Sequence, residues 1–140
     1  PENDTCDAAL LIAQLPYQHA GTNSGASADY QVEPGMCLDG PASATYGKGN
    51  DVAYVYTSPK AQTVLFSFEG APLTDLNTFL YAVFDCNDIA NSCVKAATYS
   101  PDPGADNLVL TMVKDQTVYI IVDGWASTST GSYFFKASEF

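Results

Sequence analysis

The chain has 140 residues, a length typical of one domain, and 46% of them are hydrophobic, so we expect a single domain over residues 1–140 with one core. Sixteen Asp and Glu stand against five Lys and no Arg, for a formal net charge of −11; this excludes nucleic acid as a partner, because nucleic-acid binding depends on Lys and Arg. No apolar run approaches the roughly 18 residues of a membrane helix, so membrane insertion is not expected.

The first element in chain order is the apolar stretch 7–15. Its apolar residues run almost continuously, so it predicts either a helix that ends at Pro16 or a buried strand. Residues 21–49 are poor in long aliphatic side chains and are expected to form long loops with one or two short strands.

Alternating apolar residues then recur at short intervals. They predict strands at 51–57, 63–68, 78–84, 108–113, 117–122 and 132–137, which are rich in β-branched and aromatic residues. Clusters of Pro, Gly, Asp and Lys between them are typical of turns. This pattern predicts an all-β sandwich of about eight or nine strands in two antiparallel sheets.

The four cysteines, Cys6, Cys37, Cys86 and Cys93, are even in number and contain no CxxC pair. With a single histidine in the chain, this favours disulfides over zinc. Four cysteines permit three pairings. Cys86 and Cys93 flank a short polar stretch that is typical of a turn, so we predict Cys86–Cys93 and, with the remaining two, Cys6–Cys37. Disulfides imply an oxidising, extracellular or periplasmic compartment.

Catalytic signatures are absent from the sequence. The single histidine, His19, has no carboxylate near it in the sequence, and there is no GxSxG or HExxH motif. The cysteines are accounted for by disulfides. We therefore expect a protein that is not an enzyme.

Oxygen-bearing side chains cluster at the N-terminus, where Glu2, Asn3 and Asp4 precede Cys6, and Asp51 opens the strand 51–57. Calcium takes six to eight oxygen ligands from such groups. A calcium site and a solvated charge run are both open interpretations of this cluster.

Trp125 follows a predicted strand, and Tyr99 lies in a loop-like segment. Aromatic side chains in loops can stack against a sugar. The alternative is that Trp125 covers the edge of the core.

Several segments together resemble the bacterial pre-peptidase C-terminal domain family. The segment 3–9 (NDTCDAA) is similar to its NDxCxxA start, 21–26 (GTNSGA) to its GTTxGA stretch, and 50–57 (NDVAYVYT) to its DVWYxFT strand. Residues 76–86 are similar to its LYVF…C strand. Residues 117–124 with 131–133 are similar to its VDG…GxY ending.

The resemblance implies a jelly-roll-like β-sandwich attached to secreted proteins, without catalysis of its own. Some relatives, the collagen-binding modules of secreted collagenases, hold calcium between the N-terminal segment and the sandwich. This implies a calcium site at Glu2, Asn3, Asp4, Thr22 and Asp51. The collagenase modules have further acidic ligands where this chain has residues 47–49 (GKG), and no collagen-binding aromatic residues can be placed.

We therefore expect a secreted, non-catalytic, calcium-stabilised accessory or binding module that mediates attachment or supports a neighbouring domain or subunit. Its partners would be an extracellular protein, a polysaccharide or copies of itself. Two alternatives are a self-assembling extracellular surface or filament subunit and a carbohydrate-binding module.

Overall fold

A computed structural model describes residues 1–38, 47–97 and 103–140. Within these residues it contains nine strands, one 3-10 turn at Cys6–Ala8 and one short helix, α1, at Ile89–Ser92. Neither of these helical segments is long and apolar enough to cross a membrane. The strands are β1 (Leu10–Leu11), β2 (Tyr17–Thr22), β3 (Asp51–Thr57), β4 (Gln62–Phe68), β5 (Thr78–Val83), β6 (Cys93–Ala96), β7 (Asn107–Met112), β8 (Thr117–Gly124) and β9 (Ser132–Glu139).

The strands form two packed sheets, which confirms the predicted all-β sandwich. One sheet has five strands in the order β1-β3-β8-β5-β6, and the other has four in the order β2-β9-β4-β7. All neighbours within the sheets are antiparallel except β1, which runs parallel to β3. The two sheets share the core predicted from the alternating residues.

The inner faces of the sheets meet through the alternating side chains of each strand. Val52, Tyr54 and Tyr56 of β3 face Phe66 and Phe135 of the opposite sheet, all of them buried. Burial of one such side chain contributes about 1.5–3 kcal/mol. The Tyr54 and Phe135 rings stack with their centroids 4.4 Å apart.

The outer face of the five-stranded sheet is also covered. Ala53, Phe79, Tyr81 and Ile121 form a second buried cluster beneath the N-terminal segment and the loop that contains Val32 and Cys37. Every residue of β5 is consequently buried, and the sheet has two cores rather than one. The single core expected from the sequence is therefore an incomplete description.

Three local predictions differ from the structure. Residues 7–15 form neither a helix nor one strand but a 3-10 turn followed by β1, because the chain docks parallel to β3 and the Ile12 N–H donates to Val55 O at 2.9 Å. The strand β6 was not predicted, since its four residues carry no clear alternation. The end of β2 extends into the region expected to be loop.

The predicted disulfide pairing is wrong. The structure pairs Cys6 with Cys86 and Cys37 with Cys93, and no free cysteine remains. One bond joins the N-terminal segment to Cys86, between β5 and β6, and the other joins the loop that contains Cys37 to Cys93, the first residue of β6, so neither closes the short loop between Cys86 and Cys93. The bonded cysteines are 80 and 56 residues apart. On the chain-entropy model each bond contributes about 4 kcal/mol.

Candidate functional site

Two buried carboxylates lie side by side on the outer face of the five-stranded sheet. Asp51 of β3 and Asp123 of β8 are directly opposite each other in the register, and both are fully buried. The Asp51 N–H donates to Ser27 O at 3.1 Å, away from β8, so the two residues form a non-hydrogen-bonded pair. Side chains approach most closely in pairs of this kind.

Each of these carboxylates has one partnered and one unpartnered oxygen. Asp51 Oδ2 accepts the N–H groups of Asp29 at 3.0 Å and Tyr30 at 2.8 Å, while Asp51 Oδ1 has no partner among the described residues. Asp123 Oδ2 accepts the Tyr81 hydroxyl at 3.2 Å, and Asp123 Oδ1 likewise has no described partner. Asp51 therefore holds the covering loop at residues 29–30 down against the sheet.

Burial keeps protons on this pair. It raises the pKa of Asp51 to about 8; the Tyr30 and Asp29 N–H groups oppose the rise, and the nearby carboxylates of Asp29 and Asp4 add to it. Burial and the neighbouring Asp51 raise the pKa of Asp123 well above its usual value. At neutral pH the pair therefore retains at least one proton, which prevents the repulsion of two buried anions.

A glycine is required beside Asp123. Gly47 has φ +68°, and a Cβ atom there would lie 2.6 Å from Asp123 Oδ2. Any larger residue would both strain the backbone and displace the carboxylate. The segment 47–49, where the collagenase modules carry acidic ligands, is therefore used here for close packing.

The N-terminal residues that were predicted to bind calcium make contacts with the sheet and the loop. Asn3 is buried; its side-chain amide donates to Ala53 O at 3.1 Å, and the Ala53 N–H donates to Asn3 O at 2.9 Å. Asp4 Oδ1 accepts the Ser27 N–H at 2.8 Å. Glu2 is exposed at the surface. The N-terminal segment thus lies along β3 and also holds the loop that Asp51 holds.

Thr22 lies at the end of β2. Its hydroxyl donates to Gly131 O at 2.9 Å and accepts the Ser24 N–H at 3.1 Å, so both of its hydrogen bonds are to backbone groups of the chain itself. Of the five predicted ligands, Asp4 and Asp51 are the two that contact one loop. Within residues 1–38, 47–97 and 103–140, no three His, Cys, Asp or Glu side chains are grouped to hold a metal ion. The predicted residues do not form a ready calcium cage, and calcium binding stays a prediction.

A second polar network lies between the two sheets. His19 Nδ1 is 2.6 Å from the Tyr54 hydroxyl, which is 2.8 Å from the Tyr133 hydroxyl. Burial lowers the pKa of His19, partly opposed by Glu2, and burial raises the pKa of Tyr133 to about 12. This network was not predicted from the sequence, although the alternation of Tyr17, His19 and Gly21 along β2 would have placed His19 on the inner face.

Trp125 packs edge-to-face on Phe79, with ring centroids 5.7 Å apart, and is half-buried over the outer core. This is the contact expected of a residue that covers the core edge. Tyr99, the other predicted sugar contact, lies outside the described residues.

Comparison with known proteins gives no independent identification. The chain matches no protein-family model and no curated protein.

Proposed function

We propose that this chain is a secreted, non-catalytic accessory module that mediates attachment or supports a neighbouring domain or subunit. The observation that carries the proposal is the position of the groups capable of acid–base chemistry. Asp51, Asp123, Tyr54 and Tyr133 are buried, and each forms hydrogen bonds within the fold. His19 is bonded to Tyr54. Acid–base catalysis requires such groups to reach a substrate proton, and here their polar atoms form hydrogen bonds within the fold.

The N-terminal segment and the loop that contains Val32 and Cys37 together cover the outer face of the five-stranded sheet. Their attachment to that sheet supports a role in positioning a neighbouring domain or subunit. The N-terminal segment is held by Asn3 on β3, by Asp4 on the loop, and by the Cys6–Cys86 disulfide. The loop itself is held by Asp51 and by Cys37–Cys93. A segment fastened at several points keeps whatever is joined to it at a defined place on the sandwich. The two disulfides suit an oxidising compartment, as secretion requires.

Calcium belongs to this proposal as a stabiliser of the same region. Asp4 and Asp29 both act electrostatically on Asp51, and one Asp51 oxygen is buried without a partner among the described residues. A cation bound at Asp51 would replace the proton that now limits its repulsion with the neighbouring carboxylates. Binding to the native state alone would stabilise it by about 2.7 kcal/mol at a hundredfold excess over Kd.

Catalysis and attachment can be tested on the same preparation. We expect the oxidised protein to show no turnover of peptide, ester or glycoside substrates above background, and to be retained on an insoluble extracellular polysaccharide or an immobilised extracellular protein. Trp125→Ala distinguishes sugar contact, since it would abolish retention on polysaccharide only if the ring contacts sugar. Turnover that disappears in His19→Ala would overturn the non-catalytic assignment. Failure to be retained on any such surface would overturn attachment.

A further inference from the structure

The four edges of the two sheets differ in how well they are protected. The edge strand β1 has only two residues, and β6 is flanked by Leu38, which bridges to Lys95. The strand β7 has six residues, Asn-Leu-Val-Leu-Thr-Met, and contains no charge, Pro or Gly. Exposed edges without such features are templates for pairing with another strand. The β7 edge is therefore the least protected of the long ones.

The backbone groups on the free side of β7 can be identified from their neighbours. The Phe140 N–H donates to Thr63 O, so the polar backbone groups of Thr63 point towards β9. Thr111 is paired with Thr63 in the register, so its backbone N–H and C=O groups must point away from β4. The same is true of the backbone groups of Val109, two residues earlier. Val109 O confirms this direction, since it accepts the Lys95 ammonium at 3.0 Å. No described residue bonds to the N–H groups of Val109 and Thr111.

The surface beside this edge is nearly neutral, although the chain has a net charge of −11. The neighbouring strand β4 presents Thr63, Leu65 and Ser67 on the outer face, paired with Thr111, Val109 and Asn107 of β7. The ion pair of Lys136 with Glu69, at 2.6 Å, is neutral overall. Two copies of this acidic chain can therefore pair along β7 without bringing together carboxylates of β4 or β7, since neither strand contains one.

We propose that β7 is the contact surface of a homodimer, in which it pairs antiparallel with β7 of a second copy to make one eight-stranded sheet. With the two-fold axis at Val109, this residue lies opposite itself and Thr111 lies opposite Asn107 of the partner. All of these residues have outward-pointing backbone groups, so they form hydrogen-bonded pairs. The inference goes beyond the accessory role and does not depend on it.

A groove beside the edge adds apolar contact to this interface. It has a volume of about 320 Å³ and is lined in part by Leu38, Val94 and Leu110. Leu38 is 67% exposed in the single chain. The dimer would bring Leu38 towards its symmetry mate and remove apolar surface from water.

Lys95 controls access to the edge in this arrangement. Its ammonium occupies Val109 O, the acceptor at the centre of the proposed interface. Lysine at a strand edge is a known protection against unwanted pairing. The second copy must displace this bond, so the wild-type dimer is weak and Lys95→Ala strengthens it.

The test is sedimentation velocity on the oxidised chain from about 10 µM to about 1 mM, at low and high NaCl. We expect a dimer that increases with protein concentration and with salt, because salt screens the repulsion between acidic chains. Lys95→Ala should lower the dimer dissociation constant roughly threefold to tenfold, as expected for one backbone acceptor made available.

Thr111→Pro should abolish the dimer without breaking the bonds between β7 and β4, because the N–H of Thr111 points outward. Ala20→Pro, on the edge strand β2, is the matched control. The Asn23 N–H donates to Gly131 O and so points towards β9, and backbone groups alternate in direction along a strand. The N–H of Ala20, three residues earlier, therefore points outward like that of Thr111. Thr111→Lys, which places like charges at the interface, gives a second disrupting variant if the proline variant does not fold.

Two results would overturn the proposal. In the first, both the wild-type chain and the Lys95→Ala variant stay monomeric at about 1 mM in high salt, which would mean that β7 does not pair with a second copy. The other is a dimer that persists in both Thr111 variants, or that Ala20→Pro abolishes, because the interface would then lie elsewhere.

Discussion

Replacing Asp51 by asparagine tests whether the proton on the buried carboxylate pair limits the stability of this protein. Asp51 has a pKa of about 8 in the folded chain, because burial disfavours its charged form. In the unfolded chain it should titrate near 3.9. Between these values the native state binds a proton that the unfolded state has released. The free energy of unfolding therefore falls as pH rises from about 4 to about 8, and this contribution levels off above 8.

The size of the effect follows from the two pKa values. A difference of about four pKa units corresponds to roughly 5 kcal/mol, at about 1.4 kcal/mol per unit. The asparagine side chain of the variant would keep an oxygen to accept the N–H groups of Asp29 and Tyr30, and it does not ionise. Asp51→Asn should therefore match the wild type within about 1 kcal/mol at pH 4 and exceed it by up to about 5 kcal/mol at pH 8. For a domain of this length, that is a rise in Tm of roughly 10–15 °C.

The assay is urea or thermal unfolding at several pH values with chelator present and disulfides intact. Asp29→Asn is the matched control, since it removes an exposed carboxylate of the same loop and keeps the backbone N–H that Asp51 accepts. It should change the pH dependence much less. A wild-type protein that becomes more stable from pH 5 to pH 8, or an Asp51→Asn variant that is clearly less stable than wild type at pH 8, would refute the argument.

Repeating the unfolding measurements in millimolar calcium distinguishes the effect of the proton on Asp51 from the effect of a bound metal ion. A bound cation would stabilise the ionised form of Asp51, so calcium should raise the Tm of the wild type at pH 8 and leave Asp51→Asn nearly unchanged. Equal melting with calcium and with chelator would contradict the calcium prediction.

Three further predictions concern the N-terminal segment, the sheet interior and the crosslinks. Asn3→Ala should lower the free energy of unfolding by about 1–3 kcal/mol, since the buried Ala53 O loses its side-chain donor; urea unfolding measures this, and a change below about 0.5 kcal/mol would contradict it. Gly21→Ala should lower the Tm, because the new Cβ would lie 2.5 Å from the Tyr133 hydroxyl oxygen and 2.6 Å from its ring carbon Cζ; thermal unfolding measures this, and an unchanged Tm would contradict it. Peptide mapping without reductant should recover the first cysteine linked to the third and the second to the fourth, whereas a peptide linking the third to the fourth would show that the present pairing is incorrect.

The strand positions could be predicted from the sequence because they depend on local alternation. In β3, the large side chains of Val52, Tyr54 and Tyr56 occupy every second position, and a pleated strand places every second side chain on one face. The predicted strand 51–57 and the observed β3 coincide. The strands β2 and β6 were not predicted, and where β1 lies a strand was only one of two open interpretations. With two and four residues, β1 and β6 are too short to carry a period.

The sequence identified some residues of the candidate site but did not identify the residues that they contact. Asp51 was identified as important, yet its neighbour Asp123 lies more than seventy residues away in the chain and opposite it in the sheet. Nothing local in the sequence states that β3 and β8 are adjacent. The same holds for Asn3, whose side-chain amide donates to Ala53 O on β3, an acceptor fifty residues away in the chain.

The sequence by itself determined the all-β class, the main strands, the use of all four cysteines in disulfides and the acidic surface. These properties follow from composition and short-range periodicity. Only the tertiary structure decided the pairing of the cysteines, the second core on the outer face and the buried carboxylate pair. All three depend on which segments cover the five-stranded sheet. That choice is made by the burial of long-range contacts such as Val32 and Phe79 in one cluster, which leaves no pattern in neighbouring residues.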